Sequence, residues 1–338
     1  MKRTIIGVAG TAKNTGKTTT LVTLLKKLKE KNAPAIGLTG IGYDGESFDN
    51  VTGLPKPRID VHEGMIVAVV ERCLKFGRAK IETLFQTDIQ TPLGRIVIGR
   101  VETPGKLVLA GPVKGSDLRR TLDYMGGFGA GLTFVDGAFG RMAPFSEVDG
   151  IVLATGASRN NNISALAQES GYMMKLLSRP VMAARGRIAR FGSVLSEESL
   201  NAFFSSFAPA DTMLVEGLFS GRFLWAAAKN KELIRKRLLF DNPLKLLLAG
   251  EINQTHAALD EMEQGLKMEI GVQKTVKVIA VTVNPYYPKY HYTTHDYEAA
   301  FVDKTALLDA IGSCMDLPCY NVMVDGGNGL LREIYKLF

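Results

Sequence analysis

The class of fold turns on Thr4-Ile-Ile-Gly-Val-Ala-Gly-Thr-Ala-Lys-Asn-Thr-Gly-Lys-Thr18. Thr4 to Ala9 is short, apolar and β-branched, the pattern of a strand buried in a parallel sheet. It runs into Gly10 to Thr18, after which Leu21, Leu24, Leu25 and Leu28 fall at i, i+3, i+4 and i+7 and predict an amphipathic helix. Lys26, Lys27, Lys29 and Lys31 crowd the last turns, where cations meet the negative end of the helix dipole. Asn32 and Pro34 stop it, and Ala35 to Thr39 reads as a second strand. Strand, glycine loop, helix and strand make a βαβ unit, so the expected class is α/β with right-handed crossovers.

Outward from this unit the regularity lapses between Val51 and Val113, where turn signals alternate with β-rich runs. Gly94–Val101 and Lys106–Ala110, joined across Glu102-Thr-Pro-Gly105, read as a hairpin. Strand patterns resume at Leu132–Asp136, Ile151–Thr155, Thr212–Glu216, Lys245–Ala249, Lys277–Val283 and Asn321–Asp325. Helical patterns lie at Ile163–Leu177 and Lys229–Leu239. The alternation predicts one doubly wound, mostly parallel sheet over residues 1–50 and 114–338, with a β-rich module inserted at 51–113.

Composition narrows the functional classes. The chain has 338 residues, 46% of them hydrophobic and 22% charged, enough for a substantial core and against disorder as its main state. Cys73, Cys314 and Cys319 form no CxxC pair and no disulfide framework, which suits a reducing, cytoplasmic setting. No leader or membrane-spanning run is expected, since the apolar run Ile5–Ala9 ends at Gly10. The net charge of +7 is scattered rather than stacked on one helix, and no aromatic-interleaved basic motif accompanies it, which disfavours nucleic acid as a partner.

Gly16-Lys17-Thr18, between a strand and a helix, carries a definite chemistry. A glycine lets the backbone curl so that successive N–H groups point at an anion, and the helix amino end adds positive potential. Lys17 can reach β and γ phosphates, and the Thr18 hydroxyl suits magnesium. Gly10 stands six residues before Gly16, with Thr11 where the usual pattern has glycine. The residues expected around the phosphates are Gly10, Thr11, Asn14, Thr15, Gly16, Lys17, Thr18 and Thr19. Magnesium needs a carboxylate from a neighbouring strand end as well, and Asp136 of Leu132–Asp136 is the first choice. Glu216-Gly217 offers the same arrangement on another strand, either for metal or water positioning or as an ordinary turn. Asp44, after the second strand, reads as a switch-like carboxylate or a plain turn. The loop does not itself separate ATP from GTP. His291 and His295 would share a helical face, but Pro285 and Pro288 favour a packed, tyrosine-rich loop over a zinc site.

Gly10-Thr11-x-x-x-x-Gly16-Lys17-Thr18 resembles the loop of dethiobiotin synthetase and the cobyrinic and cobyric acid synthases, in the P-loop class that also holds MinD-like ATPases. Phe134-Val-Asp-Gly-Ala138, Ile151–Ser158 with Asn162-Ile-Ser164, and Val281-Thr-Val-Asn284 resemble that family's later segments, in order. The resemblance implies that Asn284 recognises adenine. Where dethiobiotin synthetase holds its diamino acid with acidic and hydroxyl residues, this chain has Ala12, Lys13 and Asn14. Over its whole length, including Gly40–Glu46 and Asn50–Pro55, the chain resembles the lysine 5,6-aminomutase reactivase subunit family. That resemblance implies a magnesium-dependent ATPase that remodels an adenosylcobalamin- and pyridoxal-phosphate-dependent aminomutase. Lys17, Asp136, Asp44 and Glu216 would form its catalytic set. Its partners would be the nucleotide with an aminomutase or a second reactivase subunit, and a homodimer is compatible with the class. The alternative is a ligase that phosphorylates a carboxylate or carbamate of a small molecule.

Overall fold

A computed structural model describes residues 3–31, 36–42, 59–141, 143–207, 209–293 and 295–338. The chain divides into two compact units, residues 1–167 with 277–338, and residues 168–276.

The first unit opens with β1 (Thr4–Gly10), α1 (Lys17–Glu30) and β2 (Ile36–Gly40). It continues through β3 (Ile59–Val61), β4 (Ile66–Val70), β5 (Lys80–Thr91), β6 (Gly94–Thr103), β7 (Gly105–Leu107), α2 (Gly115–Gly127), β8 (Leu132–Ala138), β9 (Gly150–Gly156) and α3 (Ile163–Leu177). All seven residues of β1 and of β9 are buried, as strands in the middle of a sheet must be. Leu21, Leu24, Leu25 and Leu28 of α1 are each at most 1% exposed, so the predicted stripe is the face that packs on the sheet.

The second unit takes in the rest of α3 and then β10 (Ile188–Phe191), α4 (Glu197–Phe207), β11 (Thr212–Val215), α5 (Gly221–Lys229), β12 (Arg237–Phe240), α6 (Leu244–Leu248), α7 (Ile252–Gln264) and β13 (Glu269–Val272). Its strands pair in parallel in the order β10-β11-β12-β13. The chain then completes the first unit with β14 (Val278–Asn284), β15 (Tyr286–His291), β16 (Asp296–Phe301), α8 (Lys304–Ser313), β17 (Cys319–Tyr320), α9 (Val322–Asp325) and α10 (Asn328–Tyr335).

The main sheet has the order β17-β14-β9-β1-β8-β2-β4-β6-β5, parallel from β17 through β4 and antiparallel at β6 and β5. The molecule is thus α/β with a large, mostly parallel sheet. β1 lies between β8 and β9, and the chain leaves it toward β2 on one side while β9 and β14 extend the sheet on the other. The loop after β1 therefore opens at the carboxyl ends of the strands where the strand order reverses, the usual place for ligands in such sheets.

Several expectations change. One sheet does not span the chain: Thr212–Val215 belongs to a separate four-stranded sheet. Nor is the segment from Val51 to Val113 a separate module, as far as it is described. β4, apolar and buried throughout, pairs in parallel with β2 and carries β6 and β5 onto the same sheet. The long hairpin joins β5 to β6 across Pro92-Leu93, whereas β7, after Pro104, turns away to pair with β3. Leu244–Leu248 is helical rather than extended, its start held by the Asn242 side chain accepting from the Leu244 N–H. Asn321 does the same for Met323, so that Val322–Asp325 forms a helical turn. Lys229–Leu239 is no helix, because Arg235 takes φ +59° and the chain goes on as β12.

Candidate phosphate-binding site

The loop between β1 and α1 is shaped by two left-handed residues, Asn14 at φ +61° and Gly16 at φ +89°. A Cβ on Gly16 would stand 3.1 Å from the Cβ of Asn284, so only glycine combines this turn with this neighbour. Asn14 tolerates the same region better than most side chains do. Among the described residues, the N–H groups of Ala12, Asn14, Thr15 and Gly16 meet no acceptor. Consecutive unspent amides at the head of a fourteen-residue helix form a ready anion cradle.

The rest of the site holds this shape. Asn284, at the end of β14, donates from Nδ2 to the Asn14 carbonyl at 2.9 Å, and its Oδ1 accepts from the Tyr286 N–H. Ser158 Oγ lies 2.9 Å from the Tyr286 carbonyl and 3.2 Å from the same Asn14 carbonyl, so its one hydroxyl hydrogen is shared between the two acceptors. On the other side the Thr11 amide donates to Ala154, the Thr11 and Thr155 hydroxyls bond at 3.1 Å, and Arg159 donates to the Thr11 carbonyl at 2.6 Å. Thr15 donates its hydroxyl to the Ala12 carbonyl and lies against Gly10, whose missing Cβ would come 3.1 Å from that hydroxyl. The side chain of Asn284 thus acts here as a clamp on the loop backbone.

Lys17 reaches across to the strand beside β1. Its Nζ donates to Asp136 Oδ2 at 2.8 Å, and the two side chains are only 13% and 12% exposed. The register explains the meeting, since β8 runs parallel to β1 with Asp136 opposite Val8. The other carboxylate oxygen, Asp136 Oδ1, is buried without a hydrogen-bond partner. A buried, unsatisfied carboxylate oxygen costs free energy that a cation would recover. Magnesium prefers hard oxygen ligands, and the unsatisfied Asp136 Oδ1 is an oxygen donor of the kind it takes, as is the Thr18 hydroxyl. Thr18 and Thr19 lie in the first turn of α1. Lys17 and Asp136 line a small cleft with Gly40, Gly42 and Arg141.

Not every candidate joins them. Glu216 follows β11 in the second unit, where its carboxylate pairs with Arg190 at 2.6 Å. Asp44 lies outside the described residues. His291 and His295 flank the tip of the β15–β16 hairpin, not a helix face. His291 pairs with Glu298 at 2.8 Å, and His295 Nδ1 meets the Tyr290 hydroxyl. Among the described residues, no group of three or more His, Cys, Asp and Glu side chains is placed to hold a metal, and no helix is long and apolar enough to cross a membrane. Thr155, Ser158, Arg159 and Arg141 are the site residues that sequence reasoning missed. The first three sit in the segment Ile151–Ser158 and just beyond it, where the strand was legible but the direction of each side chain was not.

Comparison of the chain with protein-family models, with curated proteins and with solved structures finds no match.

Proposed function

We propose that this protein is a magnesium-dependent P-loop nucleoside triphosphatase that uses ATP. The observation that carries the reading is one juxtaposition: unspent backbone amides at the head of α1, with a lysine and a half-satisfied carboxylate facing each other beside them. In this arrangement Asp136 occupies the ammonium group that a phosphate would otherwise attract. Nucleotide binding would transfer Lys17 from the carboxylate to the phosphate oxygens and free Asp136 for the metal's coordination shell. Thr18 and Asp136 would hold magnesium, which supplies charge neutralisation at the β and γ phosphates. The loop amides and Lys17 orient the triphosphate.

The resemblance to the aminomutase reactivase subunits supports a mechanical use of this turnover, in which loss of the terminal phosphate releases a state that ATP stabilises. The partner would be an adenosylcobalamin- and pyridoxal-phosphate-dependent aminomutase. A ligase of the dethiobiotin or cobyric acid synthase kind uses the same loop, and the dependence of turnover separates the two. Phosphate release stimulated by the mutase alone supports remodelling, whereas a phosphorylated carboxylate or carbamate product overturns it.

The binding reading is tested by calorimetric titration of the full chain with magnesium and ATP. Lys17→Ala removes charge-assisted contacts of about 1.5–3 kcal/mol each, so affinity falls by at least about tenfold. Undiminished affinity in a folded variant removes the loop from the nucleotide site.

A further inference from the structure

We propose that Arg141 is the second cation of the phosphate cleft and meets the terminal phosphoryl group. The proposal rests on the nucleotide reading above and adds to it the side chain that tells a triphosphate from a diphosphate.

β8 delivers Asp136 beside the loop and runs on through Gly137 and Ala138 into the single turn Phe139–Arg141. That turn brings Arg141 into the cleft that Lys17 and Asp136 line. The opposite wall is the end of β2. Gly42 sits there at φ +66°, and a Cβ on it would stand 3.1 Å from Arg141 Cδ and 3.4 Å from Nη1. The stem and guanidinium of Arg141 therefore lie along the backbone of residue 42. That backbone is tied at both its polar groups, since the Gly42 N–H donates to Pro112 and its carbonyl accepts from Gly111. The arginine rests on a fixed floor.

The chemistry follows from the neighbours. Lys17 and the unspent amides are at the head of α1, while Arg141 approaches from the end of β8. A polyphosphate held at one end by the loop extends its terminal group toward the cleft. The terminal phosphoryl spreads its charge over three equatorial oxygens as its bond to the leaving oxygen lengthens. A planar guanidinium with paired N–H donors matches those oxygens better than an ammonium does. The bond broken is that between the β,γ-bridging oxygen and the γ phosphorus, whose electron pair leaves on ADP; the oxygen of water forms the new bond to phosphorus, and its protons pass to inorganic phosphate and to solvent. Arg141 transfers no proton and acts through its charge.

The experiment compares parent, Arg141→Ala and Arg141→Lys chains by calorimetry with magnesium and either ADP or the β,γ-imido analogue of ATP, and by phosphate release from ATP. In Arg141→Ala, affinity for the imido analogue falls at least about tenfold, ADP affinity stays within about twofold, and phosphate release drops by roughly 10³-fold, the scale set by catalytic arginines at phosphoryl groups. Arg141→Lys recovers binding of the analogue and not turnover, because it restores the charge without the fork. Equal losses for ADP and the analogue assign Arg141 to packing against Gly42 and overturn the proposal, as do unchanged affinities with unchanged turnover. A parent chain that binds neither nucleotide overturns the nucleotide reading itself. A parent that binds both, with an Arg141→Ala variant that fails to discriminate, overturns the role of the arginine alone.

Discussion

Asn284 shows how much of this site is set by residues that touch no phosphate. Its amide spans the Asn14 carbonyl and the Tyr286 N–H, so it fixes a loop residue that pays for a left-handed backbone, and at the same time the root of the β15–β16 hairpin. Asn284→Ala leaves the Asn14 carbonyl to Ser158 alone. Each lost hydrogen bond is worth about 0.5–1.5 kcal/mol, so the variant loses about 1–3 kcal/mol of loop order and binds nucleotide more weakly with the lysine intact. Titration with magnesium–ATP and magnesium–GTP checks this. A clamp lowers both affinities alike, while a loss confined to ATP restores the adenine-reading role implied by the resemblance. At this scale Gly16, Lys17 and Thr18 were legible, because loop chemistry is written in consecutive residues. Arg159 and Ser158 were not, because their partners stand 148 and 144 positions away and only the strand pairing brings them together.

The elements divide along the same line. α1 and α3 are readable because a helix buries one stripe and its period is local, and Ile163–Leu177 is helical over the predicted span. Leu24, wholly buried in a core that includes Ile6, Val8 and Phe134, is the residue on which α1 depends most plainly. Leu24→Ala removes its side chain from that core and costs about 2–5 kcal/mol, measured by urea unfolding followed through the helical signal. An effect below about 1 kcal/mol would mean that the stripe is not what seats the helix. Short apolar runs without periodicity do not distinguish strand from helix. Leu-Lys-Leu-Leu-Leu, 244–248, suits a buried strand or a buried helix, and the turn that leads into it, where the Asn242 side chain accepts from the Leu244 N–H, lies outside the run. Within 229–239, Asn230 caps a short turn and Arg235 reverses the backbone before β12 begins, two events that leave no trace in hydrophobic spacing.

At the scale of the whole molecule the second unit is the feature that no pattern of strands could reveal. Its strands look like those of the first, and only pairing shows that they form their own sheet. This unit carries a buried histidine of its own. His256 lies in α7, 9% exposed at its side chain, with its ring stacked on Tyr172 at 4.2 Å and Nδ1 3.1 Å from Asp260. Burial holds its pKa below the ordinary value, and Lys175 and Arg179 act in the same direction, against the opposing pull of Asp260 and Glu263. The folded unit therefore binds this proton less tightly than the unfolded chain, whose histidine titrates near about 6.5. The contribution of His256 is complete above that pH and is lost as the pH falls below it toward the folded value. Hydrogen exchange, read as protection factors so that intrinsic rates cancel, should show the peptides of α7 losing protection between about pH 7.5 and pH 5.5. His256→Gln keeps a polar side chain of similar reach without the titration, so it should flatten that slope in α7. The slope that His62 imposes on the first unit, where burial also lowers a histidine pKa, should remain. Parallel slopes in the parent and in His256→Gln would show that this histidine is not what makes the second unit sensitive to acid.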